Sequence, residues 1–295
     1  MIYDTVIVGG GPAGMSAALY LLRNNKTVLI LEKENFGGQI ANSPRLENYP
    51  SIKLISGMDF ADNLFTQITD LGAEFELEDV SKIEKITNYN SYEARSVVIA
   101  NGLKHRLLGL PKENDFIGNG ISFCALCDGP MLKDKEAYII GDANTAMQYA
   151  LLLVDYCKQV HMFLLFDHYF GDKALIDKVL NHDRIDQKYN MNLVQYLGED
   201  HLTGLVFENT KDKSRLQVET DNLFLCIGQM PENDRFTNLV DLDDKGYILT
   251  DENMSCKTSG VFAIGDTRKK AVKQVVTACN DGAVAAISLL KYLDN

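Results

Sequence analysis

The apolar positions change period several times along the chain. Residues Tyr3 to Val8 form a short, nearly continuous β-branched run, and Gly9, Gly11 and Gly14 follow. From Met15 to Arg23 the apolar residues recur at helical spacing, and a second apolar run from Thr27 to Leu31 ends at Glu32. Strand, glycine turn, helix and strand in that order predict a βαβ unit with parallel strands. The same succession returns further on: a strand at Ala137 to Ile140, a turn at Gly141 to Ala146, a helix from Thr145 to Leu153 and a strand from Val160 to Leu165. Ser96 to Gly102 and Gly260 to Asp266 read as two more buried strands, and Val275 to Leu293 as a helix. The carboxy-terminal pieces complete a fold begun at the amino terminus. The middle of the chain, 113–244, is therefore expected to be an insert in a discontinuous domain made of 1–112 and 245–295.

The first glycine turn carries chemistry. In GGGPAG, Gly9 permits the tight turn, Gly11 lets the backbone approach a pyrophosphate, and Gly14 lets helix and strand pack closely. Phosphates favour the positive end of the helix, where backbone N–H groups are free. Glu32 closes the second strand and is placed to accept hydrogen bonds from an adenosine ribose. Asp266, at the end of the later strand, is a candidate to hold a ribityl or phosphate group. The fold class expected is α/β, with two Rossmann-like domains of the FAD/NAD(P)-binding type, the second inserted in the first.

Composition narrows the partners. The chain has 295 residues, of which 46% are apolar and 24% charged, with a formal net charge of −12. Such a balance suits a packed globular protein and excludes wholesale attraction to nucleic acid or anionic lipid. No apolar run approaches the roughly 20 residues of a membrane span, and strand-like sequence starts at Ile2, so a cytoplasmic protein without membrane contact is expected.

Six cysteines are present, and only Cys124 and Cys127, in FCALCDGP, have a recognisable spacing. In a reducing compartment such a pair is catalytic or metal-binding rather than a staple. Two cysteines three apart can close a small disulfide ring and take part in thiol–disulfide exchange, and the adjacent Asp128 can move protons for the departing thiol. Zinc would need a second pair of ligands. There is no other CxxC, and the five histidines do not cluster in the sequence, so no metal is expected. Cys157 and Cys279 are expected in helices, Cys226 in the strand LFLCIG, and Cys256 in a loop.

Taken together, GGGPAG, GGQI at Gly37 to Ile40, ENYP at Glu47 to Pro50, IANG, CxxCDG, CIGQMPEN at Cys226 to Asn233 and GVFAIGD resemble the low-molecular-weight thioredoxin reductases, a family of homodimeric flavoproteins. The resemblance runs nearly end to end and implies FAD as cofactor, thioredoxin as partner and a homodimer. It assigns the FAD site to Gly9, Gly11, Pro12, Ala13, Gly14, Glu32, Lys33, Gly37, Gly38, Gln39, Asn48, Val80, Ala100, Gly102, Gly265, Asp266, Lys273, Gln274 and Val275. It also implies that Cys127 faces the flavin, that Cys124 exchanges with the protein disulfide, and that Asp128 is the acid/base. A domain rotation follows from the family mechanism, with hinges expected near Asp115 and Asp244.

One departure stands out against that resemblance. NADPH-dependent members have roughly GxGxxA at the second turn and a pair of arginines after the next strand. Here the turn is Gly141-Asp142-Ala143-Asn144-Thr145-Ala146, and no arginine occurs between Arg106 and Arg184. Ala143 places a methyl group where a pyrophosphate needs bare backbone, and Asp142 brings negative charge to the helix start, unless Asp142 or Asn144 simply caps the helix. Asp167 would repel a 2′-phosphate yet suit the ribose of NADH. The pattern resembles the ferredoxin-linked, pyridine-nucleotide-independent branch of the family, and implies reduced ferredoxin as electron donor. Ferredoxins are generally acidic, and Arg268, Lys269, Lys270 and Lys273 form the candidate docking patch. Three alternatives stay open: an NAD(P)H-dependent reductase with a divergent nucleotide site, a flavin-dependent dithiol oxidase, and a flavin redox sensor that does not turn over.

Overall fold

The computed structural model describes residues 2–43, 46–84 and 92–294. The chain forms two compact units, one made of residues up to Lys104 and from Met230 onward, the other of His105–Gln229.

In the first unit, strand β1 (Ile2–Val8), helix α1 (Pro12–Leu22) and strand β2 (Val28–Glu32) make the expected βαβ unit. Helix α2 (Gly57–Asp70), capped by the Ser56 hydroxyl, and strands β3 (Glu74–Leu77) and β4 (Glu93–Ile99) extend it. The two-residue strand β5 (Lys104–His105) marks the first crossing.

The second unit begins with the single-turn helix α3 (Glu113–Phe116), strand β6 (Ile121–Ser122) and the single-turn helix α4 (Ala125–Asp128). Then come β7 (Glu136–Ile140), α5 (Asn144–Leu153), β8 (Gln159–Phe163), α6 (Lys173–Leu180) and β9 (Ile185–Lys188). Strands β10 (Met191–Gly198), β11 (Leu202–Asn209), β12 (Arg215–Glu219) and β13 (Leu223–Leu225) follow, and β14 (Gln229–Met230) marks the return. Strand β15 (Val261–Ala263) and helix α7 (Val275–Leu293) complete the first unit.

The first unit's sheet has the order β15-β4-β1-β2-β3 with every pairing parallel. Both faces are covered, which is why β1 and β2 read as continuous apolar runs rather than alternating ones. Helices α1 and α7 cross closely: a Cβ on Gly282 would lie 2.4 Å from the Ala13 carbonyl oxygen and 2.8 Å from Ala17 N. The core between these helices and the sheet contains Ile7, Met15, Leu21, Ile30, Val98 and Leu289.

The second unit has a parallel sheet, β6-β13-β7-β8-β9, and an antiparallel one, β10-β11-β12. The α5 side of the parallel sheet packs around Met147, Leu153 and Val160. Its other side packs against the antiparallel sheet, where the rings of Phe163 and Phe207 stack with centroids 3.9 Å apart. The antiparallel layer was not expected from the sequence.

The crossings lie earlier in the chain than 112/113 and 244/245. Leu108 and Leu110 pack against the core of the second unit, whereas Phe236, Leu239 and Val240 are buried in the first unit with Val8, Ile99 and Ile248. Burial of those side chains draws 105–112 into one unit and 230–244 into the other. Asp115 and Asp244, near which hinges were expected, therefore fall inside units.

The first of these is anchored by a buried carboxylate. Glu113, 2% exposed, accepts hydrogen bonds from Leu108 N (2.9 Å), Gly109 N (2.6 Å) and the Tyr196 hydroxyl (2.8 Å). Burial and this carboxylate push the Tyr196 hydroxyl's pKa up, so it stays a donor at neutral pH. Glu113→Ala leaves the buried Tyr196 hydroxyl and two partly buried N–H groups without their acceptor, and should destabilise the second unit by about 2 kcal/mol or more. Thermal unfolding followed by circular dichroism checks this, and an unshifted transition would mean that the anchor is dispensable.

Candidate active site

The glycine turn lies at the carboxyl ends of β1, β4 and β15, the edge where open α/β sheets bind ligands. Gly9 has φ +112°, and a Cβ there would sit 2.3 Å from the Ala100 carbonyl oxygen, so only glycine fits between the β1 and β4 ends. Gly14 is equally tight, its Cβ position falling 2.1 Å from Gly9 O. Helix α1 starts with Gly11 as N-cap and Pro12 in its first turn, and no side chain caps it. Ala13 is buried in that turn, with the Cβ position of Gly265 2.9 Å from its methyl group. Gly38 brings its own backbone against Gly11, with its Cβ position 3.2 Å from Gly11 Cα. A bare-backbone cradle of this kind suits a pyrophosphate.

The remaining positions assigned by resemblance surround it unevenly. Glu32 accepts from Gly10 N (2.7 Å) through one oxygen and from Glu34 N (3.0 Å) through the other, with lone pairs left for a ribose. Gly37 N donates to Gly10 O at 2.9 Å, and Gln39 lies in the short 3₁₀ turn Gly38–Asn42. Asn48 donates to the Gln274 side chain at 3.0 Å, and Gln274 caps α7 reciprocally with Thr277 immediately before Val275. Lys273 donates to Asp266 O at 2.7 Å, and its ammonium lies 3.9 Å from the centre of the Tyr247 ring. Lys33 pairs with Glu34 at an exposed edge, Val80 packs beside Tyr3 and Leu29, and Gly102 borders open space.

Asp266 holds the clearest sign of a ligand. Its Oδ1 is buried and has no hydrogen-bond donor among the described residues, although Lys270 Nζ lies 3.4 Å away. Burial pushes the carboxyl pKa up, against the pull of Lys270 and Lys273. A hydroxyl-bearing cofactor beside this oxygen would satisfy it.

In the second unit, Cys124 and Cys127 form a disulfide with Cα atoms 5.3 Å apart. Cys124 is the N-cap of α4, and its sulfur accepts from Cys127 N at 3.1 Å. Ser122, at the end of β6, was missed from sequence. Its hydroxyl donates to Asp128 Oδ2 at 2.5 Å and accepts from Cys124 N at 3.0 Å, tying the carboxylate to the cysteine backbone. Nothing in the sequence marks this serine; the link appears only when the single-turn helix folds back on the strand. From α5, the Tyr149 hydroxyl donates to Phe123 O at 3.0 Å, while Phe123 stacks on His105.

Burial raises the thiol pKa of the other four cysteines, to about 12 for Cys226 and Cys256, so they stay protonated and unreactive at neutral pH. Cys279 is in α7, whereas Cys157 lies beyond the end of α5 and Cys226 just past β13, each where the chain has left its element. No cluster of three or more metal-type ligands occurs among the described residues.

The second glycine turn differs from the first. The N-cap of α5 is Ala143, without a side-chain cap, so neither Asp142 nor Asn144 plays the capping part expected. Asn144 instead accepts from Asp172 N (2.8 Å) and donates to the Asp172 carboxylate (3.0 Å), because the segment after β8 folds back along the turn. Phe170 N donates to Asp142 O at 2.7 Å. Burial raises the Asp142 pKa. Beyond β8, Phe166, His168 and Phe170 form a ring cluster, and Asp167 is held at about 2 by His168 and Lys211. Asp167 thus stays anionic beyond β8, with the Lys211 ammonium 3.1 Å from it.

The basic segment after Asp266 is not an outward patch. Arg268 grips the buried Asp281 through Nε (2.9 Å) and Nη2 (3.0 Å), and Lys270, 7% exposed, reaches the same carboxylate at 3.1 Å. A carboxylate only 2% exposed needs such compensation, and it takes these cations out of the surface. Of the four proposed docking cations, Lys269 alone is well exposed, at 62%, and Asp243 lies 3.9 Å from it.

Residues 3–282 match the family model described as pyridine nucleotide-disulphide oxidoreductase. A thioredoxin reductase of Treponema pallidum is 36% identical over 99% of this chain and 97% of its own. A 34.2 kDa protein in the rubredoxin operon of Clostridium pasteurianum is 34% identical over 98% of this chain and 97% of its own. The crystal structure of Lactococcus lactis thioredoxin reductase in its FR conformation aligns with a TM-score of 0.92 at 31% identity, covering 99% of both chains. With the glycine cradle and the Cys124–Cys127 disulfide, this places the chain in the pyridine nucleotide–disulphide oxidoreductase family, as a low-molecular-weight thioredoxin reductase homologue that uses FAD.

Proposed function

We propose that the chain reduces the disulfide of thioredoxin through Cys124 and Cys127, with electrons from reduced ferredoxin rather than from NADPH. The single observation that carries the choice of donor is the second turn. Its Asp142 and Ala143 stand where a nucleotide's pyrophosphate needs bare, uncharged backbone, and no arginine occurs after β8 before Arg184. The closing of Phe170 and Asp172 over the same turn supports that reading. Ferredoxin docking does not rest on Arg268, Lys270 and Lys273, which are committed internally, and Lys269 alone of that segment stays well exposed. The protein acts in the cytoplasm, as a homodimer; no helix among the described residues is long and apolar enough to cross a membrane.

Bound FAD supplies the means to collect electrons singly and pass them on as a pair. Gly9, Gly11, Pro12, Ala13, Gly14, Gly38 and Gln39 would hold its pyrophosphate side, Glu32 and Lys33 its adenosine ribose. Asn48, Val80, Ala100, Gly102, Gly265, Asp266, Lys273, Gln274 and Val275 would line the rest. Two electrons and two protons convert the Cys124–Cys127 disulfide to a dithiol. Asp128, held by Ser122, passes a proton to and from the sulfurs. Cys124, as thiolate, attacks the thioredoxin disulfide and forms a mixed disulfide while the departing sulfur takes a proton. Cys127 then attacks Cys124, releasing dithiol thioredoxin and restoring the starting disulfide.

Anaerobic mixing of the yellow protein with NADPH, NADH or reduced ferredoxin, followed at the flavin absorbance, tests the donor. Ferredoxin should bleach it rapidly and the nucleotides should not; fast bleaching by either nucleotide would return the chain to the ordinary reductases. Asp128→Asn should lower thioredoxin-reducing kcat by about a hundredfold or more, with flavin content and ferredoxin-driven bleaching unchanged. Turnover near the parent rate would remove Asp128 from the chemistry.

A further inference from the structure

In the first unit two buried side-chain oxygens lack a donor among the described residues, Asp266 Oδ1 and Asn101 Oδ1. They leave neighbouring strands. Ala263 of β15 pairs with Ile99 of β4, and Ile264 N donates to Ile99 O at 3.0 Å, so Asn101 and Asp266 follow the adjacent ends of two parallel strands. On the other side of β4, Ala100 N donates to Val8 O at 2.7 Å, which sets the Asn101 turn against Gly9.

The orientation of the Asn101 amide is fixed by what its nitrogen does. Nδ2 donates to Glu232 O (3.3 Å) and to Asn233 Oδ1 (3.1 Å). Asn233 is itself fixed: its Oδ1 also accepts from the Thr267 hydroxyl (2.8 Å), and its Nδ2 donates to Gly246 O (2.9 Å) and Thr267 O (3.2 Å). Turning the Asn101 amide over would oppose two acceptors. Its Oδ1 is thereby turned away from Glu232 and Asn233, and a buried acceptor without a donor costs stability until a ligand or water supplies one.

The order of strands tells which part of FAD lies there. With the pyrophosphate at α1 and the adenosine ribose at Glu32, the last residue of β2, the adenosine half runs to one side of β1. β4 and β15 are on the other side, so the flavin half runs toward Asn101 and Asp266. The pyrophosphate has no donor to offer. The ribityl chain, next along the cofactor, carries hydroxyls.

We propose that Asn101 is a cofactor-binding residue whose Oδ1 accepts a hydrogen bond from a ribityl hydroxyl of FAD, held in place by Asn233 and Thr267. The proposal rests on FAD being the cofactor and not on the identity of its electron donor.

The test is reconstitution of the full-length apoprotein with FAD and with analogues lacking the 2′, 3′ or 4′ ribityl hydroxyl, read as dissociation constants from flavin fluorescence. The parent should bind one analogue about tenfold more weakly than FAD. Asn101→Ala should weaken FAD by a similar factor and that analogue hardly at all. Asn101→Ser, a smaller disturbance, should show the same selectivity if the alanine variant folds poorly. Equal weakening of FAD and all three analogues would reduce Asn101 to a structural prop, and no weakening would give its oxygen to water. A parent that binds every analogue as tightly as FAD would overturn the proposal without any variant. None of these readings depends on turnover or on the donor, so a failed ferredoxin assignment would leave the test intact.

Discussion

A single buried carboxylate organises the cofactor side of the molecule. Asp281, inside α7, accepts from Gly265 N at 3.0 Å and pairs with both Arg268 and Lys270. Leaving that charge unpaired in the core would be costly, so the segment from Gly265 to Lys270 must wrap toward the helix. That wrapping positions Asp266 at the end of β15 with one oxygen buried and unspent. It also brings Thr267 onto Asn233, and through Asn233 onto Asn101. The arrangement of Asp266, Thr267 and Asn101 at the ends of β4 and β15 thus depends on neutralising one carboxylate of α7.

The same interaction decides what the surface can offer. Four cations in six residues read from sequence as an exposed basic patch, yet two of them neutralise Asp281 and a third, Lys273, donates inward to Asp266 O and Arg268 O. Charge counted along a sequence is not charge presented to a partner. The net charge of −12 makes this more pointed, since an acidic protein donor must find its positive surface elsewhere.

What the sequence made legible was what local physics sets. The β1–α1–β2 unit, the limits of α7 from Val275 to Leu293 and the spacing of the cysteine pair follow from periodicity, glycine placement and residue chemistry within a few neighbours. What stayed hidden depends on distant partners. Strands β10 to β12 were missed because their burial follows no shared pattern, mixed in β10, largely buried in β11 and without a buried residue in β12, in segments flanked by turns that carry no distinctive motif. The unit limits shifted because Leu108, Phe236 and Leu239 choose a core by position in space. Ser122 and Asn101 gained their places through contacts made only once turns had closed, and the failed capping expectation at Asn144 has the same origin: its side chain was claimed by Asp172, from beyond the next strand.

The second βαβ unit has a structural part to play whatever its turn binds. Helix α5 supplies much of the second unit's core, through Ala146, Met147, Ala150 and Leu153, and Ala125 of the cysteine segment is buried in the same cluster. Its Tyr149 hydroxyl holds Phe123 O, one residue before Cys124, and its Leu153 lies so close to Gly129 that a Cβ there would come within 3.0 Å. The redox motif is therefore mounted on the helix that follows the altered turn. Deleting the unit would remove the support of Cys124 and Cys127, whereas changing residues 142 and 143 leaves that support in place. The strand–helix frame therefore carries the cysteine segment independently of any nucleotide, and the side chains of residues 142 and 143 are not part of that support.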